Sequence, residues 1–253
     1  MEDIIISPYI LAPIFFAIAF TYSSVGLGGG SSYTALMAIF GVSTVAIPLI
    51  SLTLNLLVTS VGSLNFIRSG HARLKLLLPF LVSSIPMSYL GGSLRLPKEL
   101  FYWILLGTLF FVALRIYVWK DTTIKLNISA AGKTIISIIA GSILGLIAGI
   151  VGIGGGIYLV PLIIVLGLGT EKEAAACGAI FIFLNSLSGL TARLQFNSID
   201  LSQIILPIIA VLAGSLAGSF LGAIKYKPST MQRVLGAVII VAIIFLGRKV
   251  FMA

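Results

Sequence analysis

Val25-Gly26-Leu27-Gly28-Gly29-Gly30 and Val151-Gly152-Ile153-Gly154-Gly155-Gly156 are one phrase written twice, 126 positions apart. Four glycines within five residues do not sit in a continuous helix, because each costs about 1 kcal/mol relative to alanine in a helix interior. The apolar helical pattern on either side must therefore break at both places. In hydrocarbon, broken backbone is tolerated only where protein packs around it or where it lines a wet cavity. A Rossmann-type phosphate loop would need a preceding strand in a βαβ unit, and neither phrase has one.

The surroundings define the solvent. Of the 253 residues, 59% are hydrophobic and only 9% charged, with mean hydropathy +1.19. A soluble domain carries about 25% charged residues, so the exterior of this chain faces lipid. Apolar runs fall at about 8–24, 31–40, 44–67, 76–94, 100–118, 134–151, 157–168, 174–193, 201–223 and 229–247. The breaks between them hold Arg68 to Lys75, Arg95 to Glu99, Lys120 to Lys133, Glu171-Lys172-Glu173, Asn197 to Asp200 and Lys225 to Pro228. The expectation is an all-α integral membrane protein without an extramembrane domain.

The duplication extends beyond the glycines. After each cluster come a short apolar run, Gly41 or Gly167, and a long helix with a central asparagine, Asn55 or Asn185. Leu78-Pro79 and Leu206-Pro207 mark the next helix, and Leu106-Gly107 and Leu235-Gly236 the last. Two homologous halves are expected, 1–120 and 133–253, joined by a linker at 121–132. Pro8 to Phe40 is 33 residues, roughly 50 Å as one helix against a hydrocarbon core of about 30 Å. Either the glycines make a re-entrant hairpin, giving three full spans per half and inverted halves, or they bend one crossing, giving four spans and parallel halves. Lys and Arg divide 11 to 5 between the two faces under the hairpin reading and 10 to 6 under the other. That margin does not decide under the rule that cytoplasmic loops are basic; length favours the hairpin.

Charge and chemistry narrow the function classes. The net charge of +9 comes from residues scattered at the ends of apolar segments, which is membrane topology and not a nucleic-acid footprint. Cys177 and His71 are alone of their kind, so no disulfide, Cys or His metal site, or catalytic centre is expected. All seven acids, Glu2, Asp3, Glu99, Asp121, Glu171, Glu173 and Asp200, lie at segment edges. That argues against a cation site or carboxylate relay within the membrane.

What remains is donors. Each glycine break bares amide N–H groups at the positive end of the helix that follows, the ingredients of an anion site. Gly28, Gly29, Gly30, Gly154, Gly155 and Gly156 are the candidate backbone donors. Asn55 and Asn185 are expected to turn inward and to share one oxyanion. Ser31, Tyr33, Tyr158 and Ser186 are the candidate hydroxyl lining, accompanied by Ser23, Ser24, Ser32, Thr53 and Ser188. Arg115 and Arg193, near helix ends, are expected to snorkel to the interface, with attraction of an anion at the pathway mouth as the alternative role for either. Cys177 is expected to pack as a small hydrophobe.

The paired clusters, the Pro161-Leu162 that follows Gly152-x-Gly154-Gly155-Gly156, and the Asn-bearing next helix resemble the sulfite exporter TauE/SafE family, also called the toluene sulfonate uptake permease family. The resemblance runs nearly the whole chain, with one departure: Ala35 stands where the second half has Pro161. It implies a transporter of the prokaryotic cytoplasmic membrane for sulfite, sulfonates, sulfoacetate-like compounds or related small anions. The expected partners are lipid, the anion and a coupling ion, proton or sodium, with no cofactor. An anion channel is the alternative. A membrane-embedded enzyme lacks the acids and histidines it would need.

Overall fold

The computed structural model describes residues 8–23, 27–118, 129–197, 205–225 and 228–251. Gly26, Ser24, positions 121–128 of the linker and the side chain of Arg115 lie outside the described residues. Within them the chain is all-helical, with ten helices: α1 Pro8–Ser23, α2 Gly30–Ile39, α3 Ala46–Arg68, α4 Leu74–Ser93, α5 Lys98–Tyr117, α6 Ala130–Val151, α7 Gly156–Val165, α8 Glu171–Leu194, α9 Ile205–Lys225 and α10 Pro228–Phe251. Four of them, α3, α4, α6 and α8, are long and apolar enough over their described residues to cross a bilayer. Large apolar side chains face outward, such as Val82 at 65% and Phe111 at 60% exposure. Water would penalise that surface, and acyl chains do not.

Local sequence sets the ends. At the start of α8 the Thr170 hydroxyl accepts from the Glu173 N–H, while the Glu173 carboxylate accepts from the Thr170 N–H at 2.8 Å. Arg73 reaches the same carboxylate at 3.4 Å and ties the α3–α4 loop to it. The Ser129 side chain caps α6, accepting from the Gly132 N–H. The far end of α6 stops at Gly152, whose φ of 84° is left-handed, a conformation that suits glycine because it lacks a Cβ.

Small residues decide who packs against whom, as they do where helices share lipid instead of water. α4 and α6 run parallel with backbones nearly touching: a Cβ on Gly141 would meet Phe80 O at 2.5 Å, and those on Gly145 and Gly149 would collide with the carbonyls of Ser84 and Ser88. α1 and α9 form a second parallel pair, in which Gly214 and Gly218 leave no room beside the carbonyls of Phe16 and Phe20. These two pairings are the most extensive among the described residues. α3 crosses α8 antiparallel, since Gly62 faces Ala179 while Leu52 reaches Gly189. α8 runs parallel to α4, with Asn185 against Ser84 and Ser188 against Ile85.

The chain reverses at both glycine breaks. In one straight helix Phe15 and Tyr33 would stand roughly 27 Å apart, yet their rings are 5.0 Å apart. Likewise α7 descends along α8, Gly156 beside Ile182 and Val160 beside Gly178, so it opposes α6. A test of this packing is Gly145→Val. Overpacking against Ser84 should cost about 1–3 kcal/mol and lower the unfolding midpoint in detergent. Gly107→Ala, at a position with open space around it, should leave that midpoint unchanged or raise it slightly.

Candidate functional site

The two glycine turns meet. A Cβ on Gly30 would stand 2.6 Å from the Ile153 carbonyl oxygen and 2.5 Å from Asn55 Nδ2. Only glycine lets the first turn approach the second this closely. Gly29, at φ 92°, and Gly155, at φ 78°, are the N-cap residues of α2 and α7, and neither supplies a side-chain cap. The opening N–H groups of a helix have no intrahelical acceptor. Both short helices therefore present uncapped positive ends towards this contact.

α3 pins the arrangement. Asn55 Nδ2 donates to Gly152 O at 3.2 Å, and Ser51 Oγ donates to the same oxygen at 2.8 Å. Ser51 Oγ is also 3.4 Å from Gly30 O, so one helix face touches both turns. Ser51 lies one helical turn before Asn55, and this i, i+4 relation was the signal that could have found it. α8 supplies the opposite wall. Ser186 Oγ would lie 3.3 Å from a Cβ on Gly154, and Ile182 stands against Gly28, Gly154 and Gly156 together. Ile182 had no polar signature to give it away.

Four of the residues expected from sequence carry a buried polar atom without a hydrogen-bond partner among the described residues: Tyr33 Oη, Asn55 Oδ1, Asn185 Oδ1 and Ser186 Oγ; Ser63 Oγ, not expected from sequence, is a fifth such atom. A buried polar group left so costs about 1–3 kcal/mol, and such groups in a native structure call for an explanation. Ser31 differs, since its hydroxyl bonds Tyr22 Oη at 2.6 Å. Tyr22, which also holds Ser32 at 2.9 Å, ties the end of α1 to the start of α2.

Two candidates are placed otherwise than expected. Tyr158 turns towards α5 and donates to Thr108 O at 2.6 Å, so its phenol is committed away from the turns. Asn185 faces α4, giving its N–H groups to Phe181 O at 2.9 Å and Ser84 Oγ at 3.1 Å. A carbonyl only accepts, so the amide nitrogen must lie on that side and the oxygen is what remains unpaired. Asn185 thus has no N–H left to share an oxyanion with Asn55. The cause is helix rotation: Asn185 lies on the α4 face of α8, and Ser186 takes the face towards the turns.

Arg193 also departs from expectation. At 7% exposure it does not snorkel. It folds inward and donates to Gly149 O at 2.8 Å and Ile150 O at 2.7 Å, closing the end of α6 just before the second turn. Cys177 is buried, as expected.

Uncapped helix starts that meet inside a lipid-facing bundle are a device that membrane transporters use. Residues 11–246 match the family described as Sulfite exporter TauE/SafE, and the chain belongs to that family. It is 32% identical over 235 residues to a probable membrane transporter protein, y4hK, of Sinorhizobium fredii (strain NBRC 101917 / NGR234), covering 91% of this chain and 94% of that one. No solved structure matches.

The contact between the turns gives a direct test. Gly30→Ala must push α2 away from Ile153 and Asn55, and should lower the unfolding midpoint in detergent. Gly62→Ala, whose added Cβ would make only one 3.9 Å contact, should not.

Proposed function

We propose that this protein is a secondary transporter that moves a small oxyanion, such as sulfite, a sulfonate or a sulfoacetate-like compound, across the cytoplasmic membrane by alternating access. The observation that carries the reading is the meeting of the uncapped starts of α2 and α7 on Asn55. Two positive helix ends supply main-chain donors there, and Tyr33 and Ser186 add unpaired hydroxyls. The unpaired amide oxygen of Asn55 refines the guest. Hydrogensulfite, which keeps one proton, offers both acceptors for the backbone and a donor for Asn55 Oδ1, whereas an ionised sulfonate offers acceptors alone. For sulfite a proton is then the natural coupling ion. The lining is fully buried, Tyr33, Asn55 and Ser186 each at 0% exposure; that supports a carrier with an occluded site over an open channel.

The halves 1–120 and 133–253 are read as inverted repeats. α3 and α8, the asparagine-bearing pair, cross antiparallel, and the pairings α1 with α9 and α6 with α4 are reciprocal between the halves. Each half then contributes one re-entrant hairpin, entering from opposite faces. Impermeant maleimide labelling in a Cys177→Ser background tests this. Ser43→Cys, between α2 and α3, and Leu168→Cys, between α7 and α8, should label from opposite sides of the membrane. Labelling from one side would refute the inversion.

The site is tested in reconstituted vesicles. Asn55→Leu should abolish sulfite and sulfonate flux while the purified protein keeps its helical content. Undiminished flux would remove Asn55 from the pathway. Asn185→Leu should reduce flux chiefly through loss of the α4–α8 tie, with a lowered unfolding midpoint.

A further inference from the structure

A cavity of about 300 Å³ with a mixed polar and apolar lining lies at the end of the bundle where α4, α6 and α8 finish and the α2–α3 connection passes. Thr44, Ser93, Arg95, Arg193, Phe196 and Asn197 are among its lining residues, and none of the lining among the described residues is acidic. Arg193 is more than nine-tenths buried. Its bonds run to neutral carbonyls, and the only ion pair among the described residues is Arg73 with Glu173. A buried guanidinium without a counter-charge is costly, and burial is tolerated when a charge partner completes it. Arg95 stands at the exposed rim, its guanidinium 5.0 Å above the Phe196 ring, which orients it without neutralising it.

The geometry points to a second anion site here, an entry vestibule in which Arg95 and Arg193 receive a small oxyanion before it reaches the central turns. This rests on the oxyanion-transport reading above. Guanidinium is suited to the task, since its fork matches two oxygens of a sulfite or sulfonate head. Position makes the site more than an electrostatic lure. The carbonyls that Arg193 holds, Gly149 and Ile150, lead directly into Gly152 and the second glycine turn. An anion that draws the guanidinium towards the cavity loosens the end of α6 and thereby the turn that must move. The vestibule lies at the opposite end of α3 and α4 from the Arg68–Lys75 loop. With the more basic face cytoplasmic, it opens outward.

The test uses the full chain in detergent, following thermal stabilisation by sulfite and by methanesulfonate, alongside flux in vesicles. Arg95→Gln should weaken stabilisation by these anions about tenfold in apparent affinity and raise KM for flux similarly, with the maximal rate retained. Arg193→Lys should keep the fold and part of the effect, and Arg193→Gln should lose it. Asn55→Leu, blocked in flux, should still be stabilised through the vestibule. If Arg95→Gln and Arg193→Lys both bind and transport like wild type, the vestibule is wrong and the central site stands. If Asn55→Leu abolishes all anion stabilisation, there is no separate second site. If phosphatidylglycerol stabilises the protein through Arg95 and Arg193 while the free anions do not, the cavity holds a lipid headgroup and the entry role is overturned.

Discussion

Backbone that leaves helical form inside a bilayer has to be surrounded by protein, and this bundle meets that requirement with one contact. The carbonyl of Ile153 sits where a side chain on Gly30 would be, and the Gly152 carbonyl is held by both Ser51 and Asn55. Remove the glycines and the turns cannot touch; remove α3 and the carbonyl between them loses both side-chain donors. The same poverty of side chain that breaks the helices lets the broken ends be buried. The left-handed glycines at 29, 152, 154 and 155 are where this conformation is needed.

Close packing elsewhere serves that contact. The glycine stripe Gly141, Gly145 and Gly149 presses α6 against α4, and Ser88 donates to Asn185 O at 2.8 Å to bring α8 into the same layer. Dispersion between well-fitted backbones replaces the hydrophobic drive that is weak between helices in lipid. The serines of these faces add hydrogen bonds where an unmatched hydroxyl would otherwise face hydrocarbon.

Much of this was legible in the chain. The ten apolar runs correspond to the ten helices, because lipid leaves composition as nearly the only determinant of a span. The breaks at the glycine clusters, and the reversal that their spacing favoured over a bent crossing, followed from propensity and length. The rotation of each helix about its axis was harder to read, since a segment apolar on all sides carries no moment to orient it. Asn185 therefore turned out to face α4, Tyr158 to reach Thr108, and Arg193 to fold inward where a terminal arginine normally seeks the interface. Ile182, which packs against glycines of both turns, was invisible because nothing distinguishes one isoleucine among many.

That isoleucine bears on how the molecule must move. Branching at Cβ confines a helical isoleucine to essentially one χ1 well, so Ile182 cannot swing aside as a leucine or methionine would. On the proposed transport cycle, room for a guest between the turns would have to come from displacement of α7 or α8 as whole bodies. Such collective shifts belong to the microsecond-to-millisecond range, so passage would be slow, paced by helices sliding and not by a side chain flicking.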